Sequence, residues 1–184
     1  MNEKYLRLIS IILTVICTML VLSGCAEGLY TSGLEYGATG GIDNVIRGEE
    51  YYYAVSGLGE VEYKDIVVPI MHKGRYVVRI YAQAFKETGI KSVTLPESIL
   101  DIGKRAFKDC TSLRSINIPP QVLSIGEGAF EGCTSLTSVV FEDDYVWYIE
   151  DVETSERTRI DVTNDREIAT KLAGEYASYR LVKV

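Results

Sequence analysis

The chain has 184 residues and a formal net charge of −7, with 47% hydrophobic and 24% charged residues. This length suits one domain of ordinary size, or one small domain with attached segments, and the composition excludes a largely disordered chain. The acidic balance argues against a nucleic-acid partner, which requires clustered Lys and Arg to neutralise phosphates, and against adsorption to an anionic membrane by charge alone.

The first 24 residues are typical of an export signal. Two basic residues precede an uncharged apolar run at positions 8–22. As a helix this run would extend about 22 Å, short of the ~30 Å hydrocarbon core of a bilayer. The motif Leu22-Ser23-Gly24-Cys25 resembles the lipobox of bacterial lipoproteins. The resemblance implies that residues 1–24 are removed and that a diacylglyceryl group on Cys25 anchors the chain to a membrane, outside the cytoplasm or on the cell surface. An uncleaved membrane helix is the alternative.

Residues 25–48, beginning with the lipidated Cys, are expected to form a flexible tether. They contain six glycines, too many for the interior of a helix or strand. A flexible coil of this length reaches roughly 25 Å, which would hold a folded domain clear of the bilayer. The run GATGG has no following Lys, so a phosphate-binding loop is not expected here.

A 23-residue repeat occupies residues 85–141. Equivalent residues recur at this spacing in the pairs Phe107 and Phe130, Cys110 and Cys133, and Leu113 and Leu136, whereas Phe85 precedes Phe107 by 22. The period lies within the leucine-rich-repeat range. The pattern C-T-S-L-x-S-I-x-I-P, followed by V-x-x-I-G-x-x-A-F, resembles the BspA-like, or Treponema-type, leucine-rich repeats of bacterial surface proteins. The likeness covers about residues 53–184.

The predicted fold is therefore a β-rich solenoid, a short right-handed stack of about three and a half leucine-rich-repeat coils with an α+β C-terminal cap. An N-terminal cap and degenerate repeat are expected in residues 49–84, with a strand at 66–69 and a return leg at 77–80. Each coil buries its apolar edge only when equivalent residues of neighbouring coils stack on it. Gly126 is expected to permit a tight bend after the return leg.

The C-terminal cap is expected in residues 142–184. Alternation and β-branching predict strands at 145–149 and 159–162, and a last strand at 179–184. Between them Asn164 is the predicted N-cap of a helix. An apolar stripe follows at i, i+4 and i+8 and indicates which face of the helix is buried: Ile168, Leu172 and Tyr176.

Few residues offer chemistry, and neither a catalytic site, a metal nor a cofactor is predicted. Cys110 and Cys133 are interpreted as buried free thiols, although a disulfide along the stack remains open. His72, the only histidine, is expected to be a solvated turn residue. Glu142, Asp143 and Asp144 are expected to form a solvated turn rather than a calcium site. The tyrosines at 51–53 are expected to lead into a strand rather than to stack on sugars.

The predicted ligand site is the concave face of the sheet, where side chains alternate with the buried ones. It comprises three rows: Lys91, Arg114 and Thr137; Ser92, Ser115 and Ser138; and Thr94, Asn117 and Val140. Any solvated sheet face would show similar rows. The resemblance implies binding of a protein, peptide or glycan. We thus expect a non-catalytic, lipid-anchored surface protein that acts in adhesion or envelope interaction. The alternative is a structural or accessory envelope lipoprotein without a dedicated ligand.

Overall fold

The computed structural model describes residues 31–39, 52–61 and 64–184. The predicted signal segment, Cys25 and the parts of the predicted tether at 25–30 and 40–48 lie outside the described residues. The described ranges contain thirteen strands and one helix, arranged as a solenoid of about four coils. The predicted solenoid is confirmed.

Each coil contributes one short strand to a first sheet, and the first three coils also contribute a return-leg strand to a second sheet. The first sheet is entirely parallel and contains, in spatial order, β10 (Ser138–Phe141), β8 (Ser115–Ile118), β6 (Ser92–Thr94) and β3 (Asp65–Val67). The return legs pair in parallel in the second sheet and comprise β5 (Arg75–Ile80), β7 (Asp101–Ile102) and β9 (Ser124–Ile125). The degenerate first coil is therefore present. Its strand begins one residue before and ends two residues before the predicted 66–69, and its return leg includes the predicted 77–80 and begins two residues earlier.

One apolar core runs through the stack between the two sheets. Phe85, Phe107 and Phe130 lie one above the other, with ring centroids 5.2 and 5.4 Å apart and nearly parallel planes. All three rings are buried, as are Leu113 and Leu136. The recurring apolar positions are therefore aligned along the stack, as the repeat predicted.

The segment from Thr31 to Thr39 covers the N-terminal end of the stack. Strand β1 (Glu35–Thr39) pairs antiparallel with β2 (Tyr52–Gly57), which in turn pairs with β5. Thr31 exchanges two hydrogen bonds of 2.8 Å with the backbone of Val67 at the edge of β3. The prediction of a flexible tether is therefore wrong for this segment, because its backbone groups are paired with the first coil.

The glycine in this strand shows why the tether prediction failed. A Cβ on Gly37 would lie 2.6 Å from the Tyr81 ring. Gly37 thus serves close packing between β1 and the first return leg rather than flexibility, and glycine content alone cannot distinguish these two uses.

Cys110 and Cys133 are both buried and free. The Cys110 thiol donates to the Phe85 carbonyl at 2.9 Å, and the Cys133 thiol donates to the Phe107 carbonyl at 3.0 Å. Contact with the Cys110 thiol and burial both raise the pKa of the Cys133 thiol. The prediction of buried free thiols is confirmed, and the carbonyl contacts add a repeated link between successive coils.

The C-terminal cap continues the return-leg sheet. Its elements are β11 (Trp147–Asp151), β12 (Arg157–Ile160), helix α1 (Asp165–Ala173) and β13 (Tyr179–Lys183). Strand β13 lies between β9 and β11 and pairs antiparallel with both. Its insertion closes the edge that the last return leg would otherwise expose.

Helix α1 packs against β10 and begins where the sequence predicted. The Asn164 side chain accepts a hydrogen bond of 3.2 Å from the backbone N–H of Glu167. The predicted apolar stripe is buried, although the helix ends before Tyr176. Strands β11 and β12 are each displaced by two residues from their predicted positions, and both displacements are toward the hairpin that joins them.

Candidate ligand-binding face

The parallel sheet brings the predicted rows into register. Ser115 lies opposite both Ser92 and Ser138, and Asn117 lies opposite Val140. In the row beside them, the Arg114 N–H donates to the Lys91 carbonyl at 3.1 Å, and the Thr137 N–H donates to the Arg114 carbonyl at 2.9 Å. The structure therefore places the predicted residues together on successive coils. Their role in ligand binding stays a prediction.

Strand β3 adds a member to each row that the sequence analysis missed. Asp65 lies opposite Ser92, Val67 lies opposite Thr94, and the Lys64 carbonyl accepts a hydrogen bond of 2.6 Å from the Lys91 N–H. The first coil is longer than the others because the hairpin of β4 (Met71–His72) and β5 is inserted into it. Searching at the 23-residue spacing therefore does not find these residues, whereas aligning the strand at 66–69 with its successors would have done so.

We call the outward side chains of this sheet the outer sheet face. It comprises the members of the three rows on strands β3, β6, β8 and β10, including the residue that precedes each strand. The alternate side chains point into the core and are buried: Ile66, Val93, Ile116 and Val139. Because β-strand side chains alternate between the two faces, the outward ones can contact a ligand without disturbing the core. Val67 and Val140, at the two ends of their row, are half-buried and apolar.

Two carboxylates on or beside this face are held by polar neighbours of an adjacent coil. The Ser92 hydroxyl donates to Asp65 Oδ1 at 2.6 Å, and Asn117 Nδ2 donates to Glu142 Oε1 at 2.7 Å. The Thr137 hydroxyl donates to the Arg114 carbonyl at 3.2 Å. These bonds fix the orientation of several face residues before any ligand arrives.

The basic residues of the face differ from several others on the coils. Away from the face, three basic residues pair with an acidic residue of the next coil, in Lys104–Glu127 at 2.7 Å, Lys108–Glu131 at 2.7 Å and Arg79–Asp101 at 3.1 Å. Lys64, Lys91 and Arg114 are exposed, and none of them forms an ion pair within the part of the chain that the structure describes.

His72 is not the solvated turn residue that the sequence suggested. It lies on β4, and its ring stacks on Tyr36 with centroids 3.9 Å apart and meets the Tyr53 ring edge-on at 4.8 Å. Partial burial lowers its pKa, with a smaller contribution from the Lys73 charge. The histidine therefore packs the N-terminal end of the solenoid. Tyr52 and Tyr53 begin strand β2 as predicted, and Tyr51 lies outside the described residues.

The acidic run after β10 is likewise not simply a solvated turn. The Asp143 carboxylate is only 3% exposed and contacts Lys183 Nζ at 3.1 Å, while it accepts hydrogen bonds from the Tyr145 N–H and Trp147 Nε1. Asp143, which follows strand β10 of the last coil, therefore links that coil to the cap through Lys183. Across residues 31–39, 52–61 and 64–184, no cluster of three His, Cys, Asp or Glu side chains could hold a metal ion.

Residues 76–160 match the family described as BspA type leucine rich repeat region, in six copies. These residues belong to that family. Leucine-rich-repeat regions of this type are generally protein-interaction modules without catalytic activity, and proteins that contain them are typically exposed at cell surfaces. The outer sheet face is thus the parallel sheet of a BspA-type repeat.

Three solved structures show the extent of the likeness. A leucine-rich-repeat protein of T. pallidum is 30% identical with a TM-score of 0.52, and the match covers 60% of this chain and 48% of that one. A Bacteroides ovatus leucine-rich-repeat protein is 26% identical (TM-score 0.47; 59% and 28% covered). A leucine-rich cell surface protein of Faecalibacterium prausnitzii is 27% identical (TM-score 0.46; 61% and 31% covered). The chain spans less than half the length of each.

A comparison with curated proteins found no match. Within the ranges that the structure describes, no helix is both long and apolar enough to span a membrane.

Proposed function

We propose that this protein is a non-catalytic binding module, held at a membrane surface through a lipid on Cys25, that binds a protein or peptide on its outer sheet face. The observation that carries the proposal is the alignment of exposed, partly unpaired polar side chains in rows across four parallel strands. Such rows offer hydrogen-bond donors and positive charge at a regular spacing, on a surface that the core beneath keeps rigid.

The size of the face sets the expected affinity. Four strands spaced ~4.8 Å apart, each about six residues long, give a surface of roughly 400 Å². A stable protein interface buries about 800 Å² on each partner, so one copy is expected to bind weakly. Several copies on one membrane would raise the effective concentration for a multivalent partner, and lipid anchoring therefore complements a small face.

Substitution on the face tests the site. We expect Arg114→Ala with Asn117→Ala to reduce binding of the membrane-displayed protein to cells and extracellular matrix. The matched control carries Arg159→Ala and Arg166→Ala, which remove exposed cations from the cap. If the face variant binds as well as the unchanged protein does, the face is not the ligand site.

Intact-mass analysis of membrane-extracted protein tests the anchor. We expect a chain that begins at Cys25 and carries a diacylglyceryl group, and we expect Cys25→Ser to release the protein from the membrane fraction. Cys17→Ser is the control, because Cys17 belongs to the segment that is removed. An unlipidated chain that begins at Met1 would contradict the proposal.

A further inference from the structure

Three basic residues form a continuous row along one side of the outer sheet face. Backbone hydrogen bonds link Lys64 to Lys91 at 2.6 Å and Lys91 to Arg114 at 3.1 Å, so the three residues occupy the same position on successive coils. At a strand spacing of ~4.8 Å, the outer two Cα atoms are about 10 Å apart. We call these three residues the basic row.

Within the described residues, the basic row lacks the ion pairs that compensate charge at other equivalent positions of the coils. Lys104 pairs with Glu127 and Lys108 pairs with Glu131 of the next coil, and each pair links its two coils. Lys86, which precedes Lys108 by one repeat, pairs with Glu87. In the basic row three like charges stand next to one another, on a chain whose net charge is −7. Like charges at this separation repel, so the row does not stabilise the fold by electrostatics.

The row of serines beside the basic row contains one acidic residue, Asp65, which is hydrogen-bonded within that row. Asp65 accepts a hydrogen bond from Ser92, and neither Asp65 nor Glu142 forms an ion pair with the basic row. Ser115 and Ser138 follow Ser92 across the sheet and present hydroxyl groups beside the cations. Hydroxyls in this position can donate to a peptide carbonyl or accept from a peptide N–H.

The side chains of the outer sheet face favour a peptide over a sugar chain. None of the residues in its rows on β3, β6, β8 and β10 is aromatic, so a pyranose ring finds no flat surface there on which to stack. An extended peptide advances ~3.3 Å per residue, so three or four consecutive acidic residues would span the row. Flexible Lys and Arg stems accommodate the small difference in spacing.

We infer that Lys64, Lys91 and Arg114 bind an acidic peptide segment, a run of Asp or Glu in a partner protein, with Ser92, Ser115 and Ser138 contacting its backbone. The inference rests on the proposed function and specifies the chemistry of the ligand. Since the contacts are exposed ion pairs, the binding must weaken as salt screens the charges.

The experiment measures fluorescence anisotropy of a labelled peptide of eight glutamates, titrated with the lipidated full chain in neutral phosphatidylcholine vesicles. We expect saturable binding at low salt. The binding should be lost at 0.5 M salt, where the Debye length is on the order of 4 Å and the exposed charges are screened. Lys64→Gln, Lys91→Gln and Arg114→Gln together are expected to weaken binding at least ~10-fold, about 1.4 kcal/mol. The three residues lie on the surface and form no ion pair with any described residue, so we expect thermal unfolding to stay unchanged, which verifies the fold.

The matched control removes the same charge from elsewhere, with Lys73→Gln, Arg159→Gln and Arg166→Gln, and should bind as the unchanged protein does. An equal loss in both triple variants would show that net charge alone attracts the peptide and would overturn the inference. So would unchanged binding in the basic-row variant, or tighter binding of polygalacturonate, an anionic polysaccharide, than of the glutamate peptide.

The outcome also separates the inference from the proposed function. If the glutamate peptide does not bind, yet the Arg114 and Asn117 double variant still loses binding to cells and matrix, the face binds a ligand of other chemistry and only the inference fails. If both assays show no effect, the proposed function fails with it.

Discussion

Phe107 is buried from both sides by the equivalent rings of the coils before and after it. Truncation of this side chain leaves a cavity in the centre of the stack that neither neighbour can fill. We expect Phe107→Ala to lower the free energy of unfolding by about 3–5 kcal/mol, measured by urea denaturation. Leu123→Ala is the control, since Leu123 is 57% exposed and should change stability little. A similar loss in both variants would contradict the stacking argument.

Gly126 is required by close approach of the backbone rather than by an unusual φ. A Cβ at this position would lie 2.4 Å from the backbone nitrogen of Lys104, and one on the equivalent Gly103 would lie 2.5 Å from that of Ala82. We expect Gly126→Ala to destabilise the protein by about 1–3 kcal/mol, because the coils must move apart.

The matched control for that substitution is Gly89→Ala, where no atom lies within 4 Å of the added carbon. It should leave stability unchanged or raise it by up to about 1 kcal/mol, since alanine restricts the unfolded chain. Thermal unfolding of both variants measures the difference, and equal midpoints would show that the coil spacing is not limited by this glycine.

At the scale of elements, the repeat made the strands of the coils and their register predictable, because identical apolar positions must align to be buried. The helix was predictable for a different reason, since its N-cap and apolar stripe are local signals. The packing of His72 and the burial of Asp143 could not be predicted from the repeat or from local sequence signals. Each depends on a partner far along the chain, Tyr36 for the histidine and Lys183 for the carboxylate.

The N-cap of helix α1 is testable because its hydrogen bond is a single defined contact. We expect Asn164→Ala to destabilise the protein by about 1 kcal/mol, since the N–H of Glu167 loses its acceptor. Asn164→Asp keeps an acceptor and should remain close to the unchanged protein. Circular dichroism during thermal unfolding measures both. Equal losses in the two variants would show that the cap does not act through this bond.

Glu150 links two strands of the cap and makes its stability depend on pH. Hydrogen bonds from Arg157 and Arg180 hold the pKa of the Glu150 carboxyl below its usual range. A lowered folded pKa stabilises the fold fully above the unfolded pKa of about 4.3, and this stabilisation is lost as pH falls through the folded value. We therefore expect the free energy of unfolding to decrease on acidification below about pH 5.

Glu150→Gln should reduce the steepness of that decrease in urea denaturation between neutral and acidic pH. Glu175→Gln, on an exposed residue of the cap, is the control and should keep the slope of the unchanged protein. An unaltered slope in Glu150→Gln would mean that the two arginines do not depend on the charge of this carboxyl.

At the scale of the whole molecule, both ends of the solenoid are covered by segments that differ from the repeat. The sequence predicted a C-terminal cap and its elements, but not that β13 enters the sheet between β9 and β11. Strand propensity in residues 179–184 indicates a strand without indicating its neighbours, since pairing partners are set by the edge left open by the last coil. Strand β1, which covers the N-terminal end, was not predicted because the glycines around it were interpreted as a sign of a flexible tether.

Removal of the cap tests how far the coils depend on it. A chain that ends at Phe141 exposes the edge of β9 and uncovers Phe130, Ile125 and Val139, which are buried in the complete protein. Since a solenoid without a terminal cap presents apolar surface and unpaired backbone groups, we expect this chain to aggregate and to bind a hydrophobic dye.

A milder variant separates capping from mere loss of residues. Leu181 is buried opposite Ile125 where β13 meets the last return leg, so Leu181→Asp places a charge in that contact without shortening the chain. We expect it to release the cap and give the same dye binding, while Val184→Asp, on a residue of the same segment that is 67% exposed, should give less. Size-exclusion chromatography and urea denaturation test the truncated chain. A truncated chain that stays monomeric and unfolds cooperatively would show that the coils are stable without their cap, and that the stack rather than its ends holds the outer sheet face in place.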